Sequence, residues 1–263
     1  MNSNSIHDQL KVQLKKLRLP TVLDQYADIA ESARRESLSY ERYLFELSDA
    51  ETTIRKQKRV ERFLRESKLP LEKTIDVFNR QRLPASVNGQ VSVLLEGGFL
   101  ARTENILAFG NPGSGKTHLL CAIGHQLIQQ GYRVLFRPCS LLVQELLLAK
   151  KDLNLPKALK KLSKYDAIII DDIGYVQHSR QEMEVLFTLL AERYERGSVM
   201  LTSNLPFSGW ESIFKDPMTT AAAIDRLVHH SIILELNLSS YRLESSQSRK
   251  ESGKKSDEAI GEK

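Results

Sequence analysis

The feature that most constrains this chain is the segment Gly-Asn-Pro-Gly-Ser-Gly-Lys-Thr at positions 110–117. An apolar run at 105–109 comes before it, and apolar residues at helical spacing follow it. A strand, a glycine-rich turn and a helix in this order build a loop whose backbone amides close around phosphate groups. The sequence therefore predicts a phosphate-binding loop with a nucleoside triphosphate as its ligand. A chance glycine-rich turn is the alternative.

The residue types in this loop suit separate parts of a nucleotide. Gly110 and Gly115 allow the backbone to close around the phosphates, Lys116 reaches the β and γ oxygens, and Thr117 ligates Mg²⁺. We expect the nucleotide to be held by the loop and the residue after it: Gly110, Asn111, Pro112, Gly113, Ser114, Gly115, Lys116, Thr117 and His118.

Composition limits the classes of protein that the chain can form. Its 263 residues are enough for one large domain or two smaller ones. No apolar stretch approaches the roughly 20 residues of a membrane helix, and no secretion signal is recognisable, so we expect a soluble, cytoplasmic protein. The net charge of +5 suggests an anionic partner such as nucleic acid, although excess lysine also serves solubility. Cys121 and Cys139 lack metal-ligand spacing and are expected to be buried thiols.

The chain divides into three predicted parts. Residues 1–69 form a small helical domain, because apolar residues recur every three or four positions, and Pro20 is expected to open one of its helices. Residues 70–244 form the nucleotide-binding domain. Residues 245–263 are rich in Ser, Lys and Glu and are predicted to be a disordered tail.

A basic helix is predicted over 52–67, close to the domain junction. Its cations are Arg55, Lys56, Lys58, Arg59, Arg62 and Arg65. They form either a solvated face or contacts to a nucleic acid backbone. The next segment, to Arg102, contains Pro84, Asn88-Gly89 and Gly97-Gly98, which indicate loops around short helices that could wrap an adenine base.

Five β-rich runs alternate with helical stretches in the second domain, at 105–109, 132–137, 167–171, 199–203 and 232–236. Alternation on this scale implies right-handed crossovers between parallel strands. The predicted fold is therefore α/β, a five-stranded parallel sheet flanked by helices on both faces, together with a small N-terminal all-α domain.

Polar residues end two of these strands on the same edge of the sheet. Asp171 and Asp172 end the third strand, where one carboxylate holds Mg²⁺ and the next polarises the attacking water. We assign Asp171 to the metal and Asp172 to the water, with capping of the following turn as the alternative. Asn204 ends the fourth strand and is expected to orient the water; a turn before Pro206 is the alternative.

Arg226 lies on a short predicted helix before the last strand. A guanidinium there could complete the nucleotide site of a neighbouring subunit, because it neutralises charge on a transferred phosphoryl group. Taken alone, the residue is better explained by an ion pair with Asp225 or Glu192. His229 and His230 are expected to pack or to cap the end of this helix, and nothing near them has metal-ligand spacing.

The connection at 141–164 is longer than a plain crossover helix, and Asn154-Leu155-Pro156 is expected to break it into two helices. Its lysines are candidates for phosphate contacts to duplex DNA: Lys150, Lys151, Lys157, Lys160, Lys161 and Lys164. A solvated basic face is the alternative.

Taken in order, the phosphate loop, the Asp-Asp strand end, the strand ending in Asn204 and the arginine before the last strand resemble an AAA+ ATPase of the initiator and helicase-loader branch. Further segments resemble the insertion-sequence ATP-binding proteins of the IstB type: Arg193-Tyr-Glu-Arg-Gly-Ser198, Leu201-Thr-Ser-Asn204, Phe207-Ser-Gly-Trp210, Phe214-Lys-Asp-Pro217, Asp225-Arg-Leu-Val-His-His230 and Ser240-Tyr-Arg242. The likeness covers most of the chain up to about residue 245.

The resemblance implies an ATPase with ATP and Mg²⁺ as cofactors, which forms a homo-oligomer on duplex DNA with ATP sites between subunits. Its implied partner is the transposase of the same element, in target selection and strand transfer. Catalytic roles are implied for Lys116, Asp171, Asp172, Asn204 and Arg226, and a further phosphate contact for Arg242. Many AAA+ proteins have Glu where Asp172 stands, a departure that bears on the rate of hydrolysis rather than on nucleotide binding.

Three other functions fit parts of the sequence. A replicative helicase loader of the DnaC type would use the same ATPase core with a different N-terminal partner. A nucleotide kinase would explain Lys116 and Asp171 but should show an arginine-rich lid. A nucleotide-gated DNA-binding module would hydrolyse ATP slowly or not at all, which an ATPase assay with and without duplex DNA distinguishes.

Overall fold

The structure is a computed structural model that describes residues 3–174, 179–214 and 217–241. The chain divides into two compact units, the first ending at Arg62 and the second beginning at Phe63. The domain limit between residues 69 and 70 stays a prediction, and the predicted tail, 245–263, lies outside the described residues.

The first unit is built from helices. Helices α1 (Ser3–Lys16) and α2 (Pro20–Arg35) are followed by α3 (Tyr40–Ser67), whose end belongs to the second unit. The basic segment predicted to begin at residue 52 is thus the second half of one longer helix. Pro20 is the first residue of α2, as predicted, because its missing N–H costs no hydrogen bond there. Leu14, Tyr26 and Leu47 form the buried core of this unit.

Glu51 of α3 joins two helices of the first unit. Its Oε2 accepts hydrogen bonds from the backbone N–H groups of Thr21 (2.8 Å) and Val22 (3.0 Å) at the start of α2. Burial raises the pKa of the Glu51 carboxyl, but hydrogen bonds from Val22, Arg55 and Thr21 outweigh burial and hold the pKa below its ordinary value. The carboxylate supplies the acceptor that α2 lacks, since Leu19 at the N-cap has no polar side chain.

Short helices connect α3 to the sheet: a 3₁₀ turn (Arg80–Arg82), α4 (Ala85–Leu95) and α5 (Gly98–Ala101). The loop predicted at Asn88-Gly89 is wrong, because both residues lie inside α4. Val87, Val91 and Leu94 are buried at helical spacing. Their burial outweighs the roughly 1 kcal/mol that a glycine costs inside a helix.

Five parallel strands form the sheet of the second unit: β1 (Asn105–Phe109), β2 (Val134–Pro138), β3 (Ala167–Asp171), β4 (Ser198–Ser203) and β5 (Ser231–Glu235). Their order across the sheet is β2-β3-β4-β1-β5. The predicted five-stranded parallel sheet is therefore confirmed. Because the strands are parallel, their carboxyl ends lie on one edge of the sheet. Since β4 lies between β3 and β1, the carboxyl ends of these three strands are neighbours on that edge.

Helices flank both faces of the sheet: α6 (Lys116–Gln129), α7 (Cys139–Lys151), α8 (Leu155–Leu162), α9 (Arg180–Arg193), α10 (Glu211–Phe214) and α11 (Pro217–Val228). Residues of α7, α9 and α11 share a core with Ile168 of β3. Helix α6 lies on the opposite face, where Gly124 packs against Ile169. The predicted break at 154–156 is confirmed, because α7 and α8 are separate helices. Within the described residues, no helix is long and apolar enough to cross a membrane.

Arg193, at the end of α9, is a buried cation that binds backbone carbonyl groups. Its guanidinium donates to the carbonyl oxygens of Leu162 (3.2 Å), Tyr165 (3.1 Å), Asp166 (3.1 Å) and Ser198 (2.9 Å). Burial lowers the pKa of Arg193 to about 10, which still leaves the side chain charged at neutral pH. These carbonyls lie at the end of α8, before β3 and at the start of β4, so one side chain joins three elements.

Both cysteines are buried and free, as predicted. Burial raises the pKa of the Cys121 and Cys139 thiols to about 12. Neither thiol is therefore ionised at physiological pH.

Candidate nucleotide-binding site

The glycine-rich loop runs from the end of β1 to the first turn of α6 and packs closely against its surroundings. Gly110 has a φ of 149°, and a Cβ at this position would clash with the carbonyl oxygen of Leu236, directly after β5. Gly115 has a φ of 98° and is the residue before α6. Only glycine adopts these conformations without strain, so the loop sequence matches the backbone path that it takes.

Two polar side chains lie inside the loop. The ammonium group of Lys116, a residue that is 9% exposed, donates to the carbonyl oxygens of Gly110 (2.7 Å) and Asn111 (2.9 Å). The hydroxyl of Ser114 is buried and has no hydrogen-bond partner among the described residues. A buried cation, an orphaned hydroxyl and the N-terminus of α6 together suit an oxyanion such as phosphate.

The structure brings Thr117 and Asp171 together, as the predicted magnesium site requires. The Thr117 hydroxyl donates to Asp171 Oδ1 at 2.7 Å. Hydroxyl and carboxylate oxygens are hard ligands of the kind that Mg²⁺ takes, so these two side chains fit the ion.

Thr202 of β4 also contacts the acidic pair, a contact that was not predicted from the sequence. Its Oγ1 donates to Asp171 Oδ1 and accepts from the backbone N–H of Asp172, each at 2.7 Å. Asp172 itself has a φ of 64°, in the left-handed region. A polar residue in the otherwise apolar strand 199–202 was the available signal, but the partner of Thr202 depends on which strand lies beside β4.

Asn204 follows β4 and lies beside the turn after the acidic pair. A Cβ at Gly174 would be 2.6 Å from Asn204 Oδ1. This amide oxygen is buried and has no hydrogen-bond partner among the described residues. An unpaired buried amide oxygen next to the strand ends is available to a ligand or a water molecule.

A cavity of about 220 Å³ lies beside the loop. One wall is formed by loop residues 113–118. The segment before α4 contributes Lys73, Val77, Phe78, Asn79 and Arg82, and the segment after β5 contributes Leu238 and Tyr241. Phe78 packs edge-on against His118, with ring centroids 5.2 Å apart. A mostly apolar, partly aromatic cavity next to a phosphate loop suits a flat base, and the wrapping of adenine by 70–102 stays a prediction.

The segment after β5 reaches the phosphate loop directly. The backbone N–H of Tyr241 donates to the carbonyl oxygen of Gly113 at 3.0 Å. Arg82 donates to the carbonyl oxygen of Ser239 at 3.1 Å, and its guanidinium lies 5.3 Å from the Tyr241 ring. Arg242, the predicted further phosphate contact, lies outside the described residues.

Arg226 does not line this cavity. Its Nη1 donates to the carbonyl oxygen of Ala222 at 3.1 Å, and its guanidinium lies 4.7 Å from the ring centroid of Phe187 on α9. Among the described residues, these contacts take the place of the ion pair with Asp225 or Glu192 that the sequence suggested.

The predicted DNA-binding lysines separate into two groups. Lys157, Lys160, Lys161 and Lys164 line one hollow on α8. Lys150 instead forms an ion pair with Glu184 of α9 at 2.8 Å, and Lys151 is exposed at the end of α7.

A second groove, called here the basic groove, joins cations that the sequence placed in separate segments. Its cations are Arg65, Lys68, Arg133, Arg137, Lys161 and Lys164. Its two acids are paired, Glu66 with Arg133 (3.2 Å) and Glu145 with Arg137 (3.4 Å). The remaining four cations stay outside these pairs, so the groove has a net positive charge.

Comparisons with known proteins identify the family and the fold. The sequence profile of the family described as IstB-like ATP binding protein matches residues 12–249. A putative insertion sequence ATP-binding protein of Sinorhizobium fredii is 44% identical over 243 residues, which cover 92% of this chain and 82% of the relative. Two solved structures share the fold. AMPPCP-bound DnaA from Aquifex aeolicus has a TM-score of 0.53, and the match covers 66% of this chain and 52% of the DnaA chain. The DnaC helicase loader has a TM-score of 0.53, and the match covers 63% of this chain and 97% of the DnaC chain. Their sequences are 20% and 16% identical to this chain.

Proposed function

The chain belongs to the IstB-like ATP-binding protein family, and from this premise we propose that it is the Mg²⁺-dependent ATPase of an insertion sequence. In this proposal it assembles on duplex DNA with ATP in the cytoplasm and assists the transposase of the same element in target selection and strand transfer. The observation that carries the ATPase proposal is the pair of 2.7 Å hydrogen bonds that bring Thr117 and Thr202 to one oxygen of Asp171 beside the phosphate loop.

ATP binding is assigned to the loop and to the cavity beside it. Loop amides and the Lys116 ammonium neutralise phosphate charge, and the Ser114 hydroxyl gains the partner that it otherwise lacks. Thr117 and Asp171 would hold Mg²⁺, which supplies charge neutralisation at the phosphates when it is bound. Phe78, Tyr241 and their neighbours enclose the base.

Hydrolysis is assigned to residues at the carboxyl edge of the sheet. Asp172 accepts a proton from the attacking water, and the Asn204 amide orients that water. Thr202 keeps both acids in place through its two hydrogen bonds. Asp172 reaches less far than the glutamate of many AAA+ proteins, so we expect slow turnover with normal nucleotide affinity.

Arg226 is proposed to act on the nucleotide of a neighbouring subunit. It lies outside its own cavity and packs on Phe187, a position that suits contact in trans better than contact in cis. The proposed homo-oligomer therefore has its ATP sites between subunits.

The basic groove and the α8 lysines are proposed to hold the DNA backbone. The four cations of the groove that lie outside its two ion pairs would give a slope of about −3.6 in a plot of log K for DNA binding against log salt concentration. The Lys161→Ala, Lys164→Ala double variant should reduce the size of that slope by about 2. Lys150→Ala is the matched control, because Lys150 is already paired with Glu184. An unchanged slope in the double variant would place the DNA elsewhere.

The ATPase proposal is tested by nucleotide binding, steady-state hydrolysis and light scattering with duplex DNA and ATP, separately and together. Lys116→Ala should lose ATP binding and keep its fold. Arg226→Ala should bind ATP without hydrolysing it, and mixing it with Asp172→Asn should restore some activity. Unchanged nucleotide affinity in Lys116→Ala, or no recovery in the mixture, would argue against the respective assignment.

A helicase loader of the DnaC type is the second candidate, because the DnaC structure shares this fold. Membership of the insertion-sequence family favours the transposase as partner. Pull-down with the transposase encoded by the same element, against a replicative helicase, separates the two.

A further inference from the structure

Three side chains from two segments that are distant in sequence converge at the edge of the sheet opposite the phosphate loop. His229 and His230 follow α11, and Glu195 lies in the turn after α9. One ligand atom from each lies within 4.8 Å of the others, and His230 Nε2 is 3.9 Å from Glu195 Oε1. We propose that this Glu-His-His cluster binds Zn²⁺ or a similar first-row divalent cation and so joins the turn after α9 to the turn after α11. The site is separate from the nucleotide cavity and does not rest on the proposed function.

The donor set favours zinc over the magnesium of the nucleotide site. Imidazole nitrogen and carboxylate oxygen are both zinc ligands, and three protein ligands with water in the fourth position is a common arrangement. Mg²⁺ prefers oxygen ligands alone. The cluster therefore selects a different class of ion from the one assigned to Thr117 and Asp171.

The backbone already holds the two histidines in place. The carbonyl oxygen of His230 accepts from the backbone N–H of Asn105 at the start of β1 (2.7 Å), and the N–H of His229 donates to the carbonyl oxygen of Asp225 (3.0 Å). The rings meet edge to face, with centroids 4.2 Å apart. An ion that binds here therefore has to order little of the backbone around the two histidines.

Tyr194 supports one ligand from outside the cluster. Its hydroxyl oxygen lies 3.1 Å from His229 Nδ1. A hydrogen bond at Nδ1 leaves Nε2 as the ligand atom and fixes the ring, which is the usual role of an outer partner at a metal-bound histidine.

The helix ends at this cluster favour a cation. Two helices, α9 and α11, end at this cluster, and helix C-termini carry partial negative charge. Two arginines lie on the adjoining elements: Arg196 is paired with Glu192 at 3.4 Å, and Arg226 packs on the Phe187 ring and keeps its charge.

Only a small movement is needed to reach coordination distances. Zn–N bonds of about 2.0–2.1 Å put neighbouring ligand atoms of a tetrahedral site roughly 3.3 Å apart. The 3.9 Å separation of His230 and Glu195 must therefore close by about half an ångström, and the other separations, which lie within 4.8 Å, by up to about 1.5 Å. Rotation of these exposed side chains allows both changes. A plain His230–Glu195 ion pair is the alternative, and it gives His229 no role.

The test is a calorimetric titration of the full chain with Zn²⁺, without an affinity tag and without nucleotide. We expect one Zn²⁺ per chain. His229→Gln, His230→Gln and Glu195→Gln should each lower the affinity at least about tenfold, because each removes one of three ligands. His7→Gln is the matched control, since His7 is also exposed and contacts Tyr26 of the first unit. Asp171→Asn separates this site from the nucleotide site. His7→Gln and Asp171→Asn should each bind Zn²⁺ as the wild type does.

A thermal melt gives an independent readout. Zn²⁺ should raise the melting temperature of the wild type, because it binds the folded chain, and it should not raise that of His229→Gln. Three results would overturn the proposal. Zn²⁺ binding that is unchanged in both histidine variants would mean adventitious surface binding only. The other two results are Zn²⁺ binding that Asp171→Asn abolishes, and no Zn²⁺ binding to the wild type. If a histidine variant does not fold, Glu195→Gln decides, because Glu195 is exposed and lies outside the helices.

Discussion

Replacing Thr202 by valine tests the chemistry at the strand ends most directly. Thr202 is 1% exposed, and its hydroxyl bonds to both Asp171 and the backbone of Asp172. Valine keeps the shape of threonine and removes the hydroxyl. The chain should therefore still fold, while the two acids lose the partner that they share.

The expected size of the effect follows from the two lost hydrogen bonds. A bond to a charged carboxylate contributes about 1.5–3 kcal/mol, and loss of the ordinary hydrogen bond from the N–H of the exposed residue Asp172 costs about 0.5–1.5 kcal/mol. Because Asp171 keeps its bond from Thr117, we expect the free energy of unfolding to fall by about 2–4 kcal/mol. Loss of about 1.4–2.8 kcal/mol of positioning at the acids would lower kcat for ATP about 10–100-fold. ATP affinity should change less than about threefold, since the hydrogen bonds of the Thr202 side chain go to Asp171 and to the backbone of Asp172.

The assay compares wild type, Thr202→Val and Thr202→Ser for kcat, KM and equilibrium ATP binding at saturating Mg²⁺, with a thermal melt of each. Serine keeps the oxygen and should stay within about threefold of the wild-type kcat. A wild-type kcat in Thr202→Val would refute the reasoning, as would an equal loss in both variants. A tenfold loss of ATP affinity would instead show that the hydroxyl supports the loop rather than the acids.

Three further predictions concern stability and reactivity. Arg193→Met should lower the free energy of unfolding by roughly 3–5 kcal/mol, because buried carbonyls lose a charged donor. Arg193→Lys, which keeps the charge, is the control. A fall of less than a few degrees in the melting temperature of Arg193→Met would contradict this prediction. Glu51 has a lowered pKa, so its stabilisation of the first unit is complete above the ordinary glutamate pKa of about 4.3 and is lost as the pH falls through the pKa of the folded state. Glu51→Gln should therefore flatten the acid part of the curve of stability against pH. An unchanged curve would exclude this role for Glu51. With pKa values of about 12, Cys121 and Cys139 should resist iodoacetamide at pH 8 in the native chain and react after denaturation; rapid native labelling would show that the thiols are accessible.

Local sequence patterns predicted much of the fold. The five β-rich runs became the five strands, Pro20 opened α2, and Asn154-Leu155-Pro156 separated α7 from α8. Each of these signals acts within a few residues, through backbone conformation or through burial at a fixed period. The wrong loop at Asn88-Gly89 shows the limit, because burial of one helix face outweighed the turn preference of a dipeptide.

Contacts between remote segments were not predictable in this way. The wall of the cavity formed by Leu238 and Tyr241, the basic groove and the cluster of Glu195 with His229 and His230 each join segments with no pattern linking them in sequence. Pairing of this kind depends on how elements pack, which the period of apolar residues does not specify.

The sequence by itself determined the path of the glycine-rich loop, because its glycines set the backbone conformation, and Lys116 and Thr117 supply the groups on which the proposed phosphate chemistry rests. It also determined that acids and an amide end two parallel strands. The tertiary structure decided which of those ends meet: β4 lies directly beside β3 in the order β2-β3-β4-β1-β5, and so the Thr202 hydroxyl reaches Asp171. Strand order is set by the packing of the whole sheet and its helices, and no single segment contains that information.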